Sequence, residues 1–227
     1  MLLRIRSVTY LAERINGYEL VDPQERDLPP FEAGAHISVR VGEELVRDYS
    51  LWNDPAERAR YCIAVLRETD GRGSNEWHEK ARAGDMVEVS PPRNNFPLAA
   101  AAARHLLIAG GIGITPIMAM VSELRRRGAD FLLHYCTRSP EETAFLDELA
   151  ILAAQGRVQF HHDGGDPAKG LDITAILREY RPGTHLYYCG PAGMMAAAEA
   201  ASRHWPLGKV HCEYFAGPKA VEPMNPN

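Results

Sequence analysis

Hydrophobic and polar positions along this chain follow two rhythms, and the change falls near residue 100. Before it, runs rich in Val, Ile, Leu and Tyr at 2–12, 18–22, 36–41, 45–52, 61–67 and 86–90 are separated by Gly, Pro, Asn and Asp. That is the pattern of short strands between turns. Val39-Arg40-Val41 and Val87-Glu88-Val89 alternate apolar and polar residues, as strands do in a sheet with one wet face. The turn Gly42-Glu43-Glu44 makes a hairpin of the third and fourth runs. Strands with little between them beyond a helical turn or two at 75–83 predict a small antiparallel β-barrel.

From about Arg104, strand-like and helix-like runs alternate: 105–110 then 116–127, 131–137 then 140–155, 158–163 then 173–180, 185–190 then 191–204. A last strand follows at 209–215. This order predicts an α/β unit with a parallel sheet and helices on both faces. Ser139-Pro140-Glu141-Glu142 reads as a capping box opening one helix. Gly128 and Gly156 stand where helix-ending glycines belong. The stretch 91–97, rich in Pro and Asn, reads as a linker. The chain thus divides into a barrel at 1–97, an α/β unit at 98–215 and a Pro-rich tail at 216–227 with no fold of its own.

Composition removes several function classes. At 227 residues and 45% apolar, the chain can bury substantial cores. A net charge of −5, from 30 acids against 25 bases, argues against a nucleic-acid binder. No long uncharged apolar run occurs, and Arg4 and Arg6 interrupt the opening strand, which argues against a signal peptide or membrane span. Cys62, Cys136, Cys189 and Cys212 are too scattered for a metal-binding pattern or a disulfide framework, and a reducing, cytoplasmic setting fits them.

Candidate chemistry begins at His105-Leu106-Leu107-Ile108-Ala109-Gly110-Gly111-Ile112-Gly113-Ile114-Thr115-Pro116. An apolar strand runs into glycines, then Thr115 as N-cap and Pro116 at the first helical position. Glycines permit a tight turn and close approach of a ligand, and the helix start offers free N–H groups to a diphosphate. The spacing departs from G-x-G-x-x-G, which disfavours an ordinary Rossmann dehydrogenase. A second turn, Cys189-Gly190-Pro191-Ala192-Gly193, puts Cys189 at the carboxyl end of a strand. A tight strand–helix turn with no ligand is the alternative reading of the first turn, and a lone Cys, as in the second, is usually a small core residue. Two such turns at equivalent strand ends point to one dinucleotide crevice. His161-His162-Asp163 are successive strand residues facing opposite ways, so no metal is assigned to them. In Arg47-Asp48-Tyr49-Ser50, alternation aims a cation and a flat aromatic the same way, a pair able to hold a phosphate and cover a ring.

Five motifs in order then identify a resemblance. They are R-x-Y-S at 47–50, G-R-G-S at 71–74, G-G-I-G-I-T-P at 110–116, Y-C-G-P at 188–191 and E-Y-F at 213–215. Over nearly its whole length the chain resembles the ferredoxin–NADP reductase superfamily. More narrowly it resembles the phthalate dioxygenase reductase and vanillate demethylase reductase group, sharing Tyr49-Ser50-Leu51, Pro92-Arg93-Asn94 and His161-His162-Asp163.

The resemblance implies a role for each matching residue. Arg47 holds the flavin phosphate, Tyr49 packs on the isoalloxazine and Ser50 hydrogen-bonds near its N5. Ala64 and Val65 line the flavin, and Gly71, Gly73, Ser74 and Asn75 form a second phosphate-binding element. Gly110, Gly111, Gly113, Thr115 and Pro116 cradle the nicotinamide dinucleotide, with Arg138 near its ribose. Cys189, Gly190 and Pro191 sit by the nicotinamide, and Ser50 and Cys189 are the implied catalytic pair. Phe215 lies near the flavin or closes the sheet as a core aromatic, and Glu213 tunes the site or is a solvated strand-end carboxylate.

Where the group shows G-G-S this chain has Gly73-Ser74-Asn75, so FMN is expected ahead of FAD but less firmly than for the group. Thr137-Arg138-Ser139 lacks an acidic ribose partner, yet the group mostly uses NADH with a similar pair, so NADH is expected. Members carry a C-terminal plant-type 2Fe–2S domain with C-x₄-C-x₂-C, which this sequence lacks. Either the chain stops before that domain, the expected case, or a separate ferredoxin is the acceptor. The implied function is an oxygenase reductase component that serves a terminal oxygenase. A reductase that releases free reduced flavin, or a nucleotide-sensing subunit without turnover, are the alternatives.

Overall fold

The computed structural model describes residues 1–41, 45–69 and 72–215. The predicted turn at 42–44, Gly71 and the tail 216–227 lie outside the described residues. Leu3 and Ile5 are buried while Leu2 and Arg6 are exposed, the alternation that makes this run a half-wet strand, β1 (Leu2–Ala12). There follow β2 (Ile15–Val21), β3 (Ala35–Val41), β4 (Leu45–Ser50), β5 (Tyr61–Leu66), the helix α1 (Arg72–Lys80), β6 (Met86–Glu88) and β7 (Arg93–Asn94). They form two antiparallel sheets, ordered β5-β2-β1-β6 and β4-β3-β7. A Val39–Val89 bridge and the Ser90 amide, donating to the Ser38 carbonyl at 2.8 Å, join them into a curled barrel. Its core holds Ile5, Leu20, Ile37, Val39, Leu51, Ile63 and Val89, with Trp77 of α1 against Tyr18.

The stretch 91–97 departs from the linker expectation. Arg93 and Asn94 form β7 against His36 and Ala35 of β3. The Asn94 amide donates to the Ala33 carbonyl at 3.1 Å and its oxygen accepts from the Phe96 amide at 2.9 Å. Phe96 is buried 5.8 Å from Tyr187. The segment therefore belongs to the barrel and to the core behind it.

The second half comprises β8 (Arg104–Gly110), α2 (Ile114–Arg126), β9 (Phe131–Thr137), α3 (Leu146–Ala154), β10 (Val158–His162), α4 (Ile173–Leu177), β11 (Thr184–Cys189), α5 (Ala192–Ser202) and β12 (Val210–Glu213). The strands are parallel, in the order β10-β9-β8-β11-β12. Strand order reverses at β8, so the β8 and β11 carboxyl ends flank a crevice where open α/β sheets bind ligands. Residues of α2 and α3 pack with Leu107, Leu133 and Tyr135 on one face, and α4 and α5 pack with Ile108, Leu186 and Tyr188 on the other. The first of these clusters continues into Ala12, Ile15, Ala64 and Phe96, so barrel and sheet share a core. Among the described residues no helix is long and apolar enough to cross a membrane.

Helix starts required two corrections. Gly111–Gly113 form a 3₁₀ turn that runs straight into α2, leaving Gly113 as N-cap and Thr115 inside the helix, donating to the Ile112 carbonyl at 3.0 Å. The predicted 140–155 helix divides into a 3₁₀ turn at Pro140–Glu142 and α3, separated by Phe145 in the left-handed region at φ 62°. Ser139 caps nothing with its side chain, because Thr143 donates to the Ser139 carbonyl at 2.8 Å and the chain turns away. The turn buries Phe145 against Trp52 of the barrel half, ring centroids 4.9 Å apart, and that burial outweighs the local capping signal. Gly128 and Gly156 do end their helices, at φ 64° and 72°.

Candidate functional site

On β4, Arg47 and Tyr49 both turn toward α1. Tyr49 meets Trp77 edge-on at 6.0 Å. Arg47 lies so close to Gly73 that a Cβ there would stand 3.2 Å from its Nε. Glycine at 73 thus leaves the guanidinium its place. No acidic side chain occupies the first turn of α1, so the helix's positive end and Arg47 act on the same space. The Asn75 amide oxygen in that turn is buried without a partner. A guanidinium beside a helix N-terminus fits a phosphate. Ser74 Oγ accepts from the Glu68 amide at 3.2 Å. Ala64 and Val65 bury their side chains in the shared core and the barrel core, and the Val65 carbonyl lies 2.9 Å from His78 Nε2.

On the sheet side, the glycines divide by role. A Cβ on Gly110 would stand 2.6 Å from Pro191 Cδ, and one on Gly113 would collide with the Cys189 carbonyl. These two glycines, with Gly190 against Met194, let the two turns pack directly on each other. Gly111, at φ 50°, has open space where a side chain would be. Its carbonyl accepts from the Tyr135 hydroxyl at 3.3 Å. The first turn of α2 also lacks acidic side chains, so its N-terminus suits a diphosphate. Thr115 and Pro116 are buried in that turn. Pro191 caps α5 at the surface.

The two sides meet at the end of β4. Ser50, next after Tyr49 and facing the other way, donates to Glu213 Oε2 at 3.4 Å across 163 residues of chain. Glu213 stands opposite Cys189 in the β11–β12 register. Its other oxygen is 3.9 Å from His36 Nδ1, on β3 opposite Ser50. Burial pushes the Glu213 carboxyl up to about 7 against the Ser50 hydrogen bond, and the Asp48 charge adds to the rise. Burial, with the Glu213 charge behind it, also holds the Cys189 thiol above its usual range, so Cys189 is a neutral thiol and not an activated nucleophile. The junction can hold anionic groups on two sides and exchange one proton at Glu213 near neutral pH.

Other predicted residues lie outside this junction. Arg138 is exposed at the end of β9, its carbonyl accepting from Gly164 at 2.9 Å. Phe215 follows β12 and is 46% exposed, which overturns the core-aromatic alternative. His161 is 3.0 Å from His134, and His162 is 2.9 Å from the Thr137 hydroxyl, ordinary sheet contacts. Among the described residues no His, Cys, Asp and Glu group could hold a metal. Two surface hollows, one beside Tyr188 and Trp205 and one beside Asp54 and Arg125, are lined by none of the junction residues. Sequence reasoning missed His36 and Trp77. Counting the hairpin back from its turn pairs residue 36 with 50 and could have found the first; nothing local marks Trp77.

Comparison with known proteins gives this geometry a context. Residues 107–200 match the model of the oxidoreductase NAD-binding domain family. The chain is 54% identical over 216 residues to the tert-butanol monooxygenase / tert-amyl alcohol desaturase reductase subunit of Aquincola tertiaricarbonis, covering 95% of this chain and 64% of that one. Phthalate dioxygenase reductase of Burkholderia cepacia is 46% identical, over 94% of this chain and 67% of the relative. A solved structure of a phthalate dioxygenase reductase superposes with a TM-score of 0.90 at 46% identity, over 94% of this chain and 67% of that one. Vanillate O-demethylase oxidoreductase of Pseudomonas sp. is 44% identical over 93% of this chain and 68% of the relative. The chain spans about two thirds of the length of these relatives. It belongs to the phthalate dioxygenase reductase and vanillate demethylase reductase group of the ferredoxin–NADP reductase superfamily, a group of oxidoreductases.

Proposed function

We propose that this chain is the NADH- and flavin-binding part of the reductase component of a Rieske-type oxygenase system in the cytoplasm. It passes electrons from NADH through bound FMN to a 2Fe–2S centre, carried on a C-terminal domain beyond these residues or on a separate ferredoxin, and so to a terminal oxygenase. The Ser50–Glu213 contact carries this reading, because it joins the end of the Arg47/Tyr49 strand to the register position of Cys189.

When bound, flavin takes two electrons as hydride and releases them singly, which nicotinamide does not readily do. The chain's own residues bind and align. Arg47 and the α1 N-terminus hold the flavin phosphate, and Tyr49 offers a flat wall. The α2 N-terminus and the open face at Gly111 hold the dinucleotide diphosphate. Cys189, small and neutral, leaves room for the nicotinamide ring at the strand end, a proximity effect. Ser50 donates its hydroxyl proton to a hydrogen bond with Glu213, whose carboxyl, lifted by burial to about 7, exchanges a proton near neutral pH.

An anaerobic visible spectrum of the purified chain, followed by NADH addition and mass identification of released flavin, tests this. A yellow protein that NADH bleaches and that releases FMN is the expected result. A colourless protein that consumes added flavin would make it a free-flavin reductase, and bound flavin untouched by NADH would make it a nucleotide sensor.

A further inference from the structure

The turn at Gly111–Gly113 is held by a side chain from the neighbouring strand. Tyr135 of β9 stands opposite Ala109 of β8 in the parallel register, two residues short of Gly111. Its ring is fully buried beside Phe160, centroids 6.2 Å apart, in the core shared by barrel and sheet. The hydroxyl donates to the Gly111 carbonyl at 3.3 Å, and the Ile114 amide donates to the same carbonyl from the start of α2. Burial raises the phenol above its usual range, against a hydrogen bond from the Ala144 amide, so the hydroxyl keeps the proton it donates. Two donors thus hold the Gly111 carbonyl on the β9 side. Among the described residues no peptide bond is cis, and in a trans peptide the N–H points opposite to the C=O. The Ile112 amide therefore points away from β9, the side on which β8 and β11 flank the crevice. It is an opening amide of the turn, a position without a partner along the helix. Gly111, at φ 50°, leads directly into the right-handed 3₁₀ turn, and that change of hand turns successive N–H groups into one concave face suited to an anion.

We propose that Tyr135 is a positioning residue for the nucleotide diphosphate, its hydroxyl fixing the Gly111 carbonyl so that the Ile112 amide faces the ligand. This role rests on the reductase reading above and deepens it by naming the group that shapes the diphosphate turn. Glycine at 111 permits the left-handed turn but permits other conformations as well, and the hydroxyl selects one. Tyr135 is fully buried, so it acts through the turn and on the half of the dinucleotide that the turn holds. Hydride leaves the other half, beside Cys189. Loss of the hydroxyl therefore shows in affinity and not in the rate of hydride transfer.

Tyr135→Phe in the full, flavin-loaded chain makes the test, since it keeps the ring and deletes one hydroxyl. Anaerobic stopped-flow reduction by NADH should show a half-saturating concentration raised roughly three- to tenfold, the worth of one hydrogen bond, with the limiting rate unchanged. N-benzyl-1,4-dihydronicotinamide, a hydride donor without a diphosphate, should reduce the variant as well as it reduces the unaltered chain. ADP-ribose, which has the diphosphate and no nicotinamide, should bind the variant more weakly by the same factor in calorimetry. A general structural role predicts losses with both hydride donors. That result, or unchanged affinity for NADH and ADP-ribose, would overturn the proposal. If Tyr135→Phe does not fold, the Ile112 amide of the unaltered chain decides: its proton resonance should move when ADP-ribose is added, and a stationary one overturns the positioning. Weaker ADP-ribose binding in a chain whose flavin neither donor reduces would sink the reductase reading and leave the positioning role. Reduction by NADH at an unchanged half-saturating concentration would do the reverse.

Discussion

Gly111 and Gly113 sit two residues apart in one turn and are glycine for different reasons. At 113 the obstacle is steric, since a Cβ meets the Cys189 carbonyl, which cannot move without breaking β11. At 111 it is conformational, a left-handed φ of 50° with nothing nearby. Gly113→Ala is therefore expected to cost about 3 kcal/mol, as overpacking does. Gly111→Ala should cost only about 1 kcal/mol, and Gly111→Asn less, because Asn tolerates the left-handed region. Urea unfolding midpoints measure all three, and equal losses at both positions would contradict the distinction. Arg47 gives a prediction about binding. Its guanidinium fits a phosphate as a charge-assisted partner worth about 1.5–3 kcal/mol. Arg47→Ala should weaken flavin binding by roughly ten- to a hundredfold, read by fluorescence titration, with little change in folding. A lysine there keeps the charge but not the fork and should recover only part of the loss.

At the scale of elements, alternation and turn residues were enough to place nearly every strand. β1 and β9 have the predicted bounds, and the others end within three residues of them. What failed were elements whose limits depend on distant partners. The capping box at 139–142 was a sound local signal, but Phe145 had a burial site against Trp52 that no local pattern reveals. Arg93 and Asn94 looked like linker because a two-residue strand has no periodicity to read; only pairing with β3 makes it a strand. The consequence for α3 can be measured. Phe145→Ala should cost about 3–5 kcal/mol, as loss of a buried Phe does, and should raise hydrogen exchange in α3 and near Trp52 together. Ser139→Ala removes no helix cap and should cost under about 0.5 kcal/mol, and a larger loss would show that the capping box operates after all.

For the whole molecule, the core that runs from Ala12 and Phe96 into Leu107 and Tyr187 couples barrel and sheet. Unfolding should be one transition, with tryptophan fluorescence and far-ultraviolet dichroism coinciding. Two separated transitions would show that the halves fold independently. Acid should weaken this fold before the carboxylates titrate. Burial lowers the proton affinity of His105, His134, His161, His185 and His211, His134 to about 4. In the unfolded chain these groups take protons near 6.5, so the unfolded state binds more protons below that pH and stability falls from about 6.5 toward 4. Glu213 acts oppositely: its raised affinity makes the folded state bind the extra proton between about 4.5 and 7, so its contribution declines as pH rises through that window. Five histidines outweigh one carboxyl, and the thermal midpoint should drop between pH 7 and 5. In His134→Gln that drop should shrink, and an unchanged slope would remove His134 from the account.

The sequence by itself determined the two-part architecture, both glycine turns and the Arg47/Tyr49 strand, because each is written in residues within reach of one another. Side-chain period, turn chemistry and helix-start glycines act over a few positions, and a chain read locally exposes them. Only the tertiary structure decided that Ser50 reaches Glu213, that His36 stands beside it, and that Gly113 packs on the Cys189 backbone. Those contacts join segments as much as 177 positions apart (36 and 213), and their geometry follows from a core shared by two sheets, which no local period encodes.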